Sequence, residues 1–335
     1  AYEISTRDWS SDVCSSDLSL GSSPTQNGAP DPPLARCPTE MPSPNLLTRT
    51  NPMKLGLVTY QLGKTWDVPT IISNLTHLKY AGVELRTTHA HGVEESLSAD
   101  ARADVRRQFA GSPIELVGIG SIYEYHSTDQ SVVRANIEGT KRALQLAHDV
   151  GAGGVKVRPN GDNLSSGVAI EATLDQIGKA LRECGQTAAD CGVVIRLEMH
   201  GSVGDAIHMR HVIDVADHPN VVLCWNSNTR FDVDEHGSVR HDFDLVSDRI
   251  GLVHLHDLTD EEYPWTELLT LLAGNGYAGY CLAECAPGGS IRLGFCNTSG
   301  PCTSHTEESK YALPSTGPRV VNSAVRFGFQ IGRAH

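Results

Sequence analysis

The chain has 335 residues and a formal net charge of −13 at pH 7. This length suits one large α/β barrel or two ordinary domains. The acidic balance argues against nucleic acid as a partner, because phosphate binding requires a basic face. No apolar run approaches the ~20 residues of a membrane span, which predicts no membrane association. The nine cysteines form no CxxC pair, a pattern typical of reduced thiols in a cytoplasmic protein rather than of a disulfide framework or a zinc ribbon.

The first 52 residues show no pattern of a folded domain. Residues 19–52 are rich in Pro, Ser, Thr and Asn and have no apolar period, which is typical of a disordered leader. Residues 8–18 (DWSSDVCSSDL) and 331–335 (IGRAH) are related at the level of DNA. Codons for residues 12–17 can be chosen whose reverse complement encodes Ile-Gly-Arg-Ala-His-Val. We therefore interpret both ends as a translated sequencing adaptor and exclude them from the reasoning about fold.

From Met53 onward, short apolar runs of strand length alternate with longer helical patterns. The runs predict eight strands, over 55–60, 82–86, 114–120, 154–159, 193–200, 221–226, 251–257 and 279–284. The patterns between them predict helices over 68–80, 99–109, 132–150, 170–190 and 262–275. Eight β/α repeats over residues 53–290 favour a parallel (β/α)8 TIM barrel. An open doubly wound sheet is less favoured, because no GxGxxG motif follows the first strand.

A helix should follow the eighth strand, but the residues after Ser290 show no helical periodicity. With one base added, codons chosen for this stretch encode Ser-Asp-Ser-Ala-Arg-Val-Leu-Gln-Tyr-Phe-Arg-Ala-Leu-Tyr-Leu. That peptide has a helix N-cap followed by an amphipathic run. We therefore expect a one-base deletion near Ser290, an out-of-frame tail over 291–335 and a barrel whose last helix is lost to the frameshift.

Polar residues occupy the C-terminal ends of the predicted strands, where TIM barrels carry their chemistry. Period-two alternation predicts that several of them face the barrel interior. The candidates, from the second strand to the eighth, are Glu84, Arg86, Lys156, Arg158, Arg196, Glu198, His200, Asn226, His254, His256 and Glu284.

Glutamate, histidine and amide side chains that converge from several strands form a mixed oxygen and nitrogen site for a divalent metal. Such a metal polarises a carbonyl and stabilises an enediolate, while a nearby carboxylate moves a proton on the adjacent carbon. Lys156 and Arg158 fit substrate binding and an ion-pair layer with Glu84 equally well. His89 and His91 belong to a loop that is either solvated or in contact with substrate.

Six stretches resemble the xylose isomerase-like sugar phosphate isomerase/epimerase family over residues 53–290. In order they are GVELRTTHAHGVE, LAHDVGAGGVKVRPNG, VIRLEMHG, VVLCWNSN, GLVHLHDL and YAGYCLAE. The resemblance implies a TIM barrel with one divalent metal (Mn, Mg, Co or Zn) held by Glu, Asp, His and Glu from strands five to eight. The matching residues here are Glu198, Asn226, His254 and Glu284. Asn226 departs from the pattern, because an amide oxygen can ligate but brings no charge. His200 is the candidate for compensation, either as an extra ligand or as a group that contacts a ligand.

Together, the residues and the resemblance predict a metal-dependent sugar or sugar phosphate isomerase or epimerase, with Glu198 and Glu284 as base and acid. The expected substrate contacts are Lys156, Arg158, His256, Glu84, Arg86 and His91. Two alternatives stay open: a non-catalytic sugar-binding barrel that has lost strong metal binding through Asn226, and an apurinic endonuclease-like hydrolase, which the acidic charge disfavours. The sequence also leaves open the identity of the sugar and whether the chain forms a homo-oligomer.

Overall fold

The computed structural model describes residues 52–160, 164, 167–256, 258 and 260–284. Its strands are β1 (Lys54–Val58), β2 (Gly82–Arg86), β3 (Glu115–Gly120), β4 (Gly154–Val157), β5 (Val194–Glu198), β6 (Val221–Asn226), β7 (Ile250–Leu255) and β8 (Tyr280–Ala283). Its α-helices are α1 (Val68–His77), α2 (Ala99–Ala110), α3 (Gln130–Val150), α4 (Ile170–Cys191), α5 (Ala206–Ala216), α6 (Thr229–Asp232), α7 (Arg240–Val246) and α8 (Trp265–Gly274). Short 3-10 turns cover Gly201–Val203 and Ser247–Arg249.

The eight strands are parallel and close into a barrel in chain order, with β8 hydrogen-bonded back to β1. The prediction of a (β/α)8 TIM barrel is therefore confirmed. Every predicted strand overlaps an observed one, although most predicted strands extend one or two residues too far at the C-terminal end. The predicted helix bounds did not include α5, and the sequence did not predict α6 and α7, which lie between β6 and β7. Residues 1–51 of the predicted leader, the predicted tail and lost last helix after Ser290, and both adaptor-like segments lie outside the described residues.

The helices begin and end at residues suited to those positions. The side chains of Asp67, Ser98 and Asp129 accept hydrogen bonds from backbone N–H groups in the first turns of α1, α2 and α3. Each such cap stabilises a helix by about 1 kcal/mol. Gly151 and Gly192 end α3 and α4 in the left-handed region, at φ of 81° and 65°. A side chain there would strain the backbone, so these glycines let the chain turn directly into the next strand.

Side chains alternate between the two faces of the barrel strands. The outward side chains and the helices form the main hydrophobic core. The inward side chains include a smaller group, the inner apolar cluster, made of Val58, Val117, Cys224, Leu252, Tyr280 and Leu282. Two positions after Cys224, Leu252 and Leu282, the next residues on the inward side are Asn226, His254 and Glu284, respectively. The apolar cluster therefore forms the floor beneath the polar residues at the strand ends.

The other side of the barrel interior holds charged groups. A β-bulge between β2 and β3 pairs Glu84 with Gly118 and leaves the carbonyl of Val117 outside the regular ladder. Arg196 of β5 fills that gap, because its Nη1 donates to the Val117 carbonyl at 2.7 Å. A Cβ on Gly118 would lie 2.8 Å from Arg196 Nη1, and one on Gly120 would lie 3.0 Å from Glu84 Oε1. The glycines of β3 thus provide the room in which Glu84 and Arg196 are buried.

No helix within the described residues has both the length and the apolar character needed to cross a membrane. Four cysteines of the described residues, Cys184, Cys191, Cys224 and Cys281, are buried free thiols.

Candidate metal centre

Three titratable side chains converge at the C-terminal end of the barrel. Glu198 ends β5, His254 lies in β7, and Glu284 follows β8, where its backbone N–H donates to Leu255 at 2.8 Å. His254 Nδ1 lies 3.2 Å from Glu198 Oε1 and 3.1 Å from Glu284 Oε2. One potential ligand atom from each residue lies within 4.8 Å of the others. Two carboxylates and one imidazole nitrogen thus face a common point, as they do in sites for divalent cations.

Asn226 lies beside this group on β6, in register with His254 on β7. It is buried, and its Oδ1 receives no hydrogen bond from any residue that the structure describes. Leaving a buried acceptor unpaired costs about 1–3 kcal/mol. A cation beside Glu198 and Glu284 would use this oxygen. The donor set of three oxygens and one nitrogen therefore fits a divalent metal ion, with Asn226 as the uncharged member.

Lys156 is the partner of Glu198. Its Nζ lies 2.8 Å from Glu198 Oε2, and both side chains are 3% exposed. The sequence left two roles open for Lys156, substrate binding and an ion pair with Glu84. In the structure Lys156 forms an ion pair, but its partner is Glu198 and not Glu84. Burial tends to lower the pKa of Lys156, but the carboxylates of Glu198, Glu84 and Glu284 raise it above the ordinary value. Lys156 is therefore a buried ammonium ion.

Both glutamates of the centre are held in the ionised form. Burial alone would raise the pKa of Glu198, but the charge of Lys156 and the hydrogen bond with His254 lower it to about 2. Burial likewise opposes ionisation of Glu284, yet contacts with His254 and His256 hold its pKa well below the usual range. Ionised carboxylates are the form that binds a metal or accepts a proton from carbon.

Glu84 faces the opposite side of the His254 ring. Its Oε1 lies 3.5 Å from His254 Nε2, and neither residue has exposed surface. Neither carboxylate oxygen of Glu84 receives a hydrogen bond within the described part of the chain. A carboxylate behind a ligating histidine fixes the orientation of the ring and increases its basicity as a ligand. Glu84, Lys156, Arg196, Glu198 and His254 together are called the inner polar cluster below.

The remaining candidates lie at the rim, each with its own neighbours. Arg158 forms an ion pair with Glu124 in the segment after β3. The guanidinium of Arg86 lies 5.3 Å from the centroid of the Tyr60 ring. His256, whose side chain is 37% exposed, places Nε2 3.5 Å from Glu284 Oε2.

Two histidines of the predicted set contact the backbone. His91 Nε2 bonds to the Arg86 carbonyl at 2.8 Å, and its Nδ1 accepts from the Val93 N–H at 3.0 Å. Burial lowers the pKa of His91, which favours a neutral ring. His200 Nδ1 lies 3.3 Å from the carbonyl of Asn160. Within the described residues His200 is not part of the group formed by the two glutamates and His254.

Sequence reasoning missed one buried acid, Asp232, at the end of α6. Its Oδ2 accepts from the Asn228 N–H at 2.7 Å and from the Tyr263 hydroxyl at 2.9 Å. That hydroxyl accepts in turn from Trp225 Nε1 at 3.0 Å. The chain of bonds fixes the segment that follows Asn226, and burial raises the pKa of Asp232 to about 7. Glu124 was also missed. Both acids lie in loop-like sequence, where neither periodicity nor spacing marks a partner.

Comparisons with known proteins agree with this architecture. The sequence profile of the xylose isomerase-like TIM barrel family matches residues 72–294. A comparison with curated protein sequences finds no match.

Several solved structures are similar to the chain. The 3-keto-D-glucoside 4-epimerase from E. coli, solved in its apo form, has 17% identity and a TM-score of 0.57, over 72% of this chain and 93% of that chain. A D-psicose 3-epimerase solved in the presence of D-fructose has 17% identity and a TM-score of 0.59, over 69% and 84%. The IolI protein, solved with a bound zinc atom, has 17% identity and a TM-score of 0.54, over 69% and 88%. At such identities the likeness shows a shared fold.

Proposed function

Because the chain belongs to the xylose isomerase-like TIM barrel family, we propose that it is a metal-dependent isomerase or epimerase of a small sugar or sugar phosphate. The convergence of Glu198, His254 and Glu284, with Asn226 in register beside them, carries the proposal. The similar solved structures support the substrate class, since two of them are sugar epimerases by name. A cytoplasmic location and a homo-oligomer stay predictions.

In this proposal Glu198, Asn226, His254 and Glu284 hold the metal, which is Mn, Mg, Co or Zn. When bound, the ion supplies Lewis acidity that polarises the substrate carbonyl and stabilises the enediolate. Glu84, which has no exposed surface, places Oε1 3.5 Å from His254 Nε2, and its charge keeps Nδ1 turned toward the two ligand glutamates. This role replaces the substrate contact expected for Glu84.

The proton is moved by the two glutamates. One carboxylate takes a proton from the carbon next to the carbonyl, and the electrons of that C–H bond form the double bond of an enediolate. In an isomerase the protonated carboxyl returns its proton to the neighbouring carbon. In an epimerase the other glutamate, after taking a proton from solvent, delivers it to the opposite face of the same carbon, and the first glutamate loses its proton to solvent. The lowered pKa values of Glu198 and Glu284 keep a basic carboxylate available at neutral pH. Such acid–base assistance typically contributes about 10²–10⁴-fold to the rate.

Recognition of the substrate is assigned to the rim residues. His256 is partly exposed beside Glu284 and is assigned a contact with a sugar hydroxyl. Arg86 and Arg158 each have a buried Nε with no hydrogen-bond partner among the described residues, and both are assigned to polar or anionic substrate groups. Both ring nitrogens of His91 form hydrogen bonds with the backbone, so His91 is assigned a role in holding the conformation of the loop after β2.

The test is exchange of substrate C–H protons with deuterated solvent, measured by NMR across ketoses, aldoses and their phosphates in the presence of each metal. The wild type is expected to exchange one proton next to the carbonyl of at least one sugar. Glu198→Gln and Glu284→Gln should each lose about 10²–10⁴-fold in exchange rate. Glu235→Gln, at a side chain that is 88% exposed, is the matched control and should retain the full rate.

The binding-protein alternative has one observation in its favour, the neutral Asn226 where the family pattern has aspartate. A chain that binds sugar with an affinity insensitive to chelator, and that exchanges no proton with any metal, would be a sugar-binding barrel. The endonuclease alternative gains no such observation. Within the described residues the only group of three or more potential His, Cys, Asp or Glu ligands contains one histidine, whereas the three-zinc cluster of those enzymes needs more.

A further inference from the structure

We propose that Lys156 is a built-in cation of the metal centre, which binds one oxygen of Glu198, leaves the other oxygen to the metal and lowers the affinity of the centre for divalent ions. This inference rests on the proposed metal site and adds a regulator of metal affinity to it.

The two oxygens of Glu198 face different neighbours. Oε2 lies 2.8 Å from Lys156 Nζ, whereas Oε1 lies 3.2 Å from His254 Nδ1. Glu284 Oε2 contacts the same Nδ1 at 3.1 Å. A metal ion bound by His254 and Glu284 would therefore contact Oε1 of Glu198, while Oε2 of Glu198 remains paired with the ammonium of Lys156. Glu198 is thereby restricted to one ligand atom.

Lys156 is held firmly in this position. The carbonyl of Lys156 accepts from both the backbone N–H and the Oγ of Ser121, at 3.0 Å and 2.7 Å. Its side chain is 3% exposed, so water offers little alternative to Glu198 as a partner. A buried ammonium that loses its paired carboxylate is strongly disfavoured. We therefore expect Lys156 to remain on Glu198 when metal binds.

The charge balance shows what this contact does. A divalent ion at the centre meets two ligand carboxylates, Glu198 and Glu284, and the neutral amide of Asn226. Lys156 places a positive charge on one of those two carboxylates, where it repels a second cation in a poorly screened interior. In the metal-free protein the same charge stabilises Glu198. Lys156 thus favours the metal-free state, and Asn226 acts in the same direction.

The experiment compares the full-length wild type with Lys156→Met by calorimetric titration with Mn²⁺ and Zn²⁺ and by thermal unfolding with and without metal. The variant is expected to bind each ion at least tenfold more tightly. Without metal, the variant should unfold at a lower temperature than the wild type. Saturating metal should raise its unfolding temperature by more than it raises that of the wild type. Lys156→Arg, which retains the charge, should keep an affinity close to that of the wild type. Lys179→Met, at a side chain that is 66% exposed, should change neither quantity.

If Lys156→Met does not fold, Lys156→Gln carries the same expectation, because its amide still donates to Glu198 but has no charge. Metal affinity that is unchanged or weaker in the neutral variants would overturn the inference and leave the proposed metal site intact. Such a result would mean that Lys156 only orients Glu198. The absence of metal binding in the wild type and in every variant would overturn the proposed function as well.

Discussion

The inner apolar cluster and the inner polar cluster share the barrel interior but are stabilised differently. In the apolar cluster, Leu282 is fully buried and approaches β1 so closely that a Cβ on Gly56 would lie 2.4 Å from it. Its stability comes from filled volume. In the polar cluster, Glu84 and His254 are equally buried but retain atoms without hydrogen bonds from described residues. Such groups cost stability and persist where function uses them. The first cluster stabilises the fold, and the second contains the residues for which binding is proposed.

The largest expected effect tests the folding side of this contrast. Leu282→Ala should lower the free energy of unfolding by roughly 2–5 kcal/mol, because it leaves a cavity between β8 and β1. Urea denaturation measures the change. Leu282→Met, which nearly conserves volume, should cost less than about 1.5 kcal/mol. Equal losses in the two variants would contradict volume filling as the source of stability.

A pH-dependent effect is expected from Asp232, the buried acid at the end of α6. Burial raises its pKa from 3.8 to about 7. The folded state therefore keeps the proton longer than the unfolded state does, and its contribution to stability is present below about pH 4 and lost as pH rises to about 7. The free energy of unfolding should thus fall by about 2 kcal/mol more between pH 5 and 7 in the wild type than in Asp232→Asn.

Denaturant unfolding at a series of pH values provides the measurement for Asp232. Asp234→Asn, in the exposed turn nearby, is the control and should keep the slope of the wild type. If the free energy of unfolding depends on pH in the same way in the wild type and in Asp232→Asn, Asp232 is ionised throughout the range from pH 5 to 7.

The binding side of the contrast is tested at Glu84. Glu84→Gln removes the carboxylate behind His254 and should weaken metal binding by about 10–100-fold, the usual effect of changing a residue that orients a ligand. Calorimetric titration with Zn²⁺ measures the affinity. Glu115→Gln, at the half-exposed start of β3, is expected to bind as the wild type does. Unchanged affinity in Glu84→Gln would show that His254 is oriented without Glu84.

The smallest expected effect concerns Asn226. Asn226→Asp adds a charged ligand and should tighten metal binding roughly tenfold, or about 1.4 kcal/mol. Asn228→Asp makes the same chemical change two residues further on, at the cap of α6, and should leave metal affinity unchanged. Equal effects of both changes would mean that net charge, and not ligation by residue 226, determines affinity.

Most of the architecture was predictable from the chain. Apolar runs of strand length and helical patterns follow from local periodicity, so the eight strands and the TIM barrel could be predicted directly. The strand ends identified a wider set of candidates, because parallel strands in a barrel bring their C-terminal ends together. The family resemblance then selected Glu198, His254 and Glu284 among them. The α6 and α7 segments were missed, since their runs of four and seven residues are too short to show a period.

The sequence by itself determined which residues of most strands face the barrel interior, because regular alternation depends only on position, but the β-bulge at Val117 interrupts it in β3. The tertiary structure decided which of those residues meet. Lys156 pairs with Glu198 and not with Glu84, and Arg158 pairs with Glu124 from the segment after β3. The β-bulge at Val117 that accommodates Arg196 likewise has no signature in the strand pattern. Pairing across strands depends on barrel stagger, bulges and side-chain reach, and these are set only when all eight strands close together.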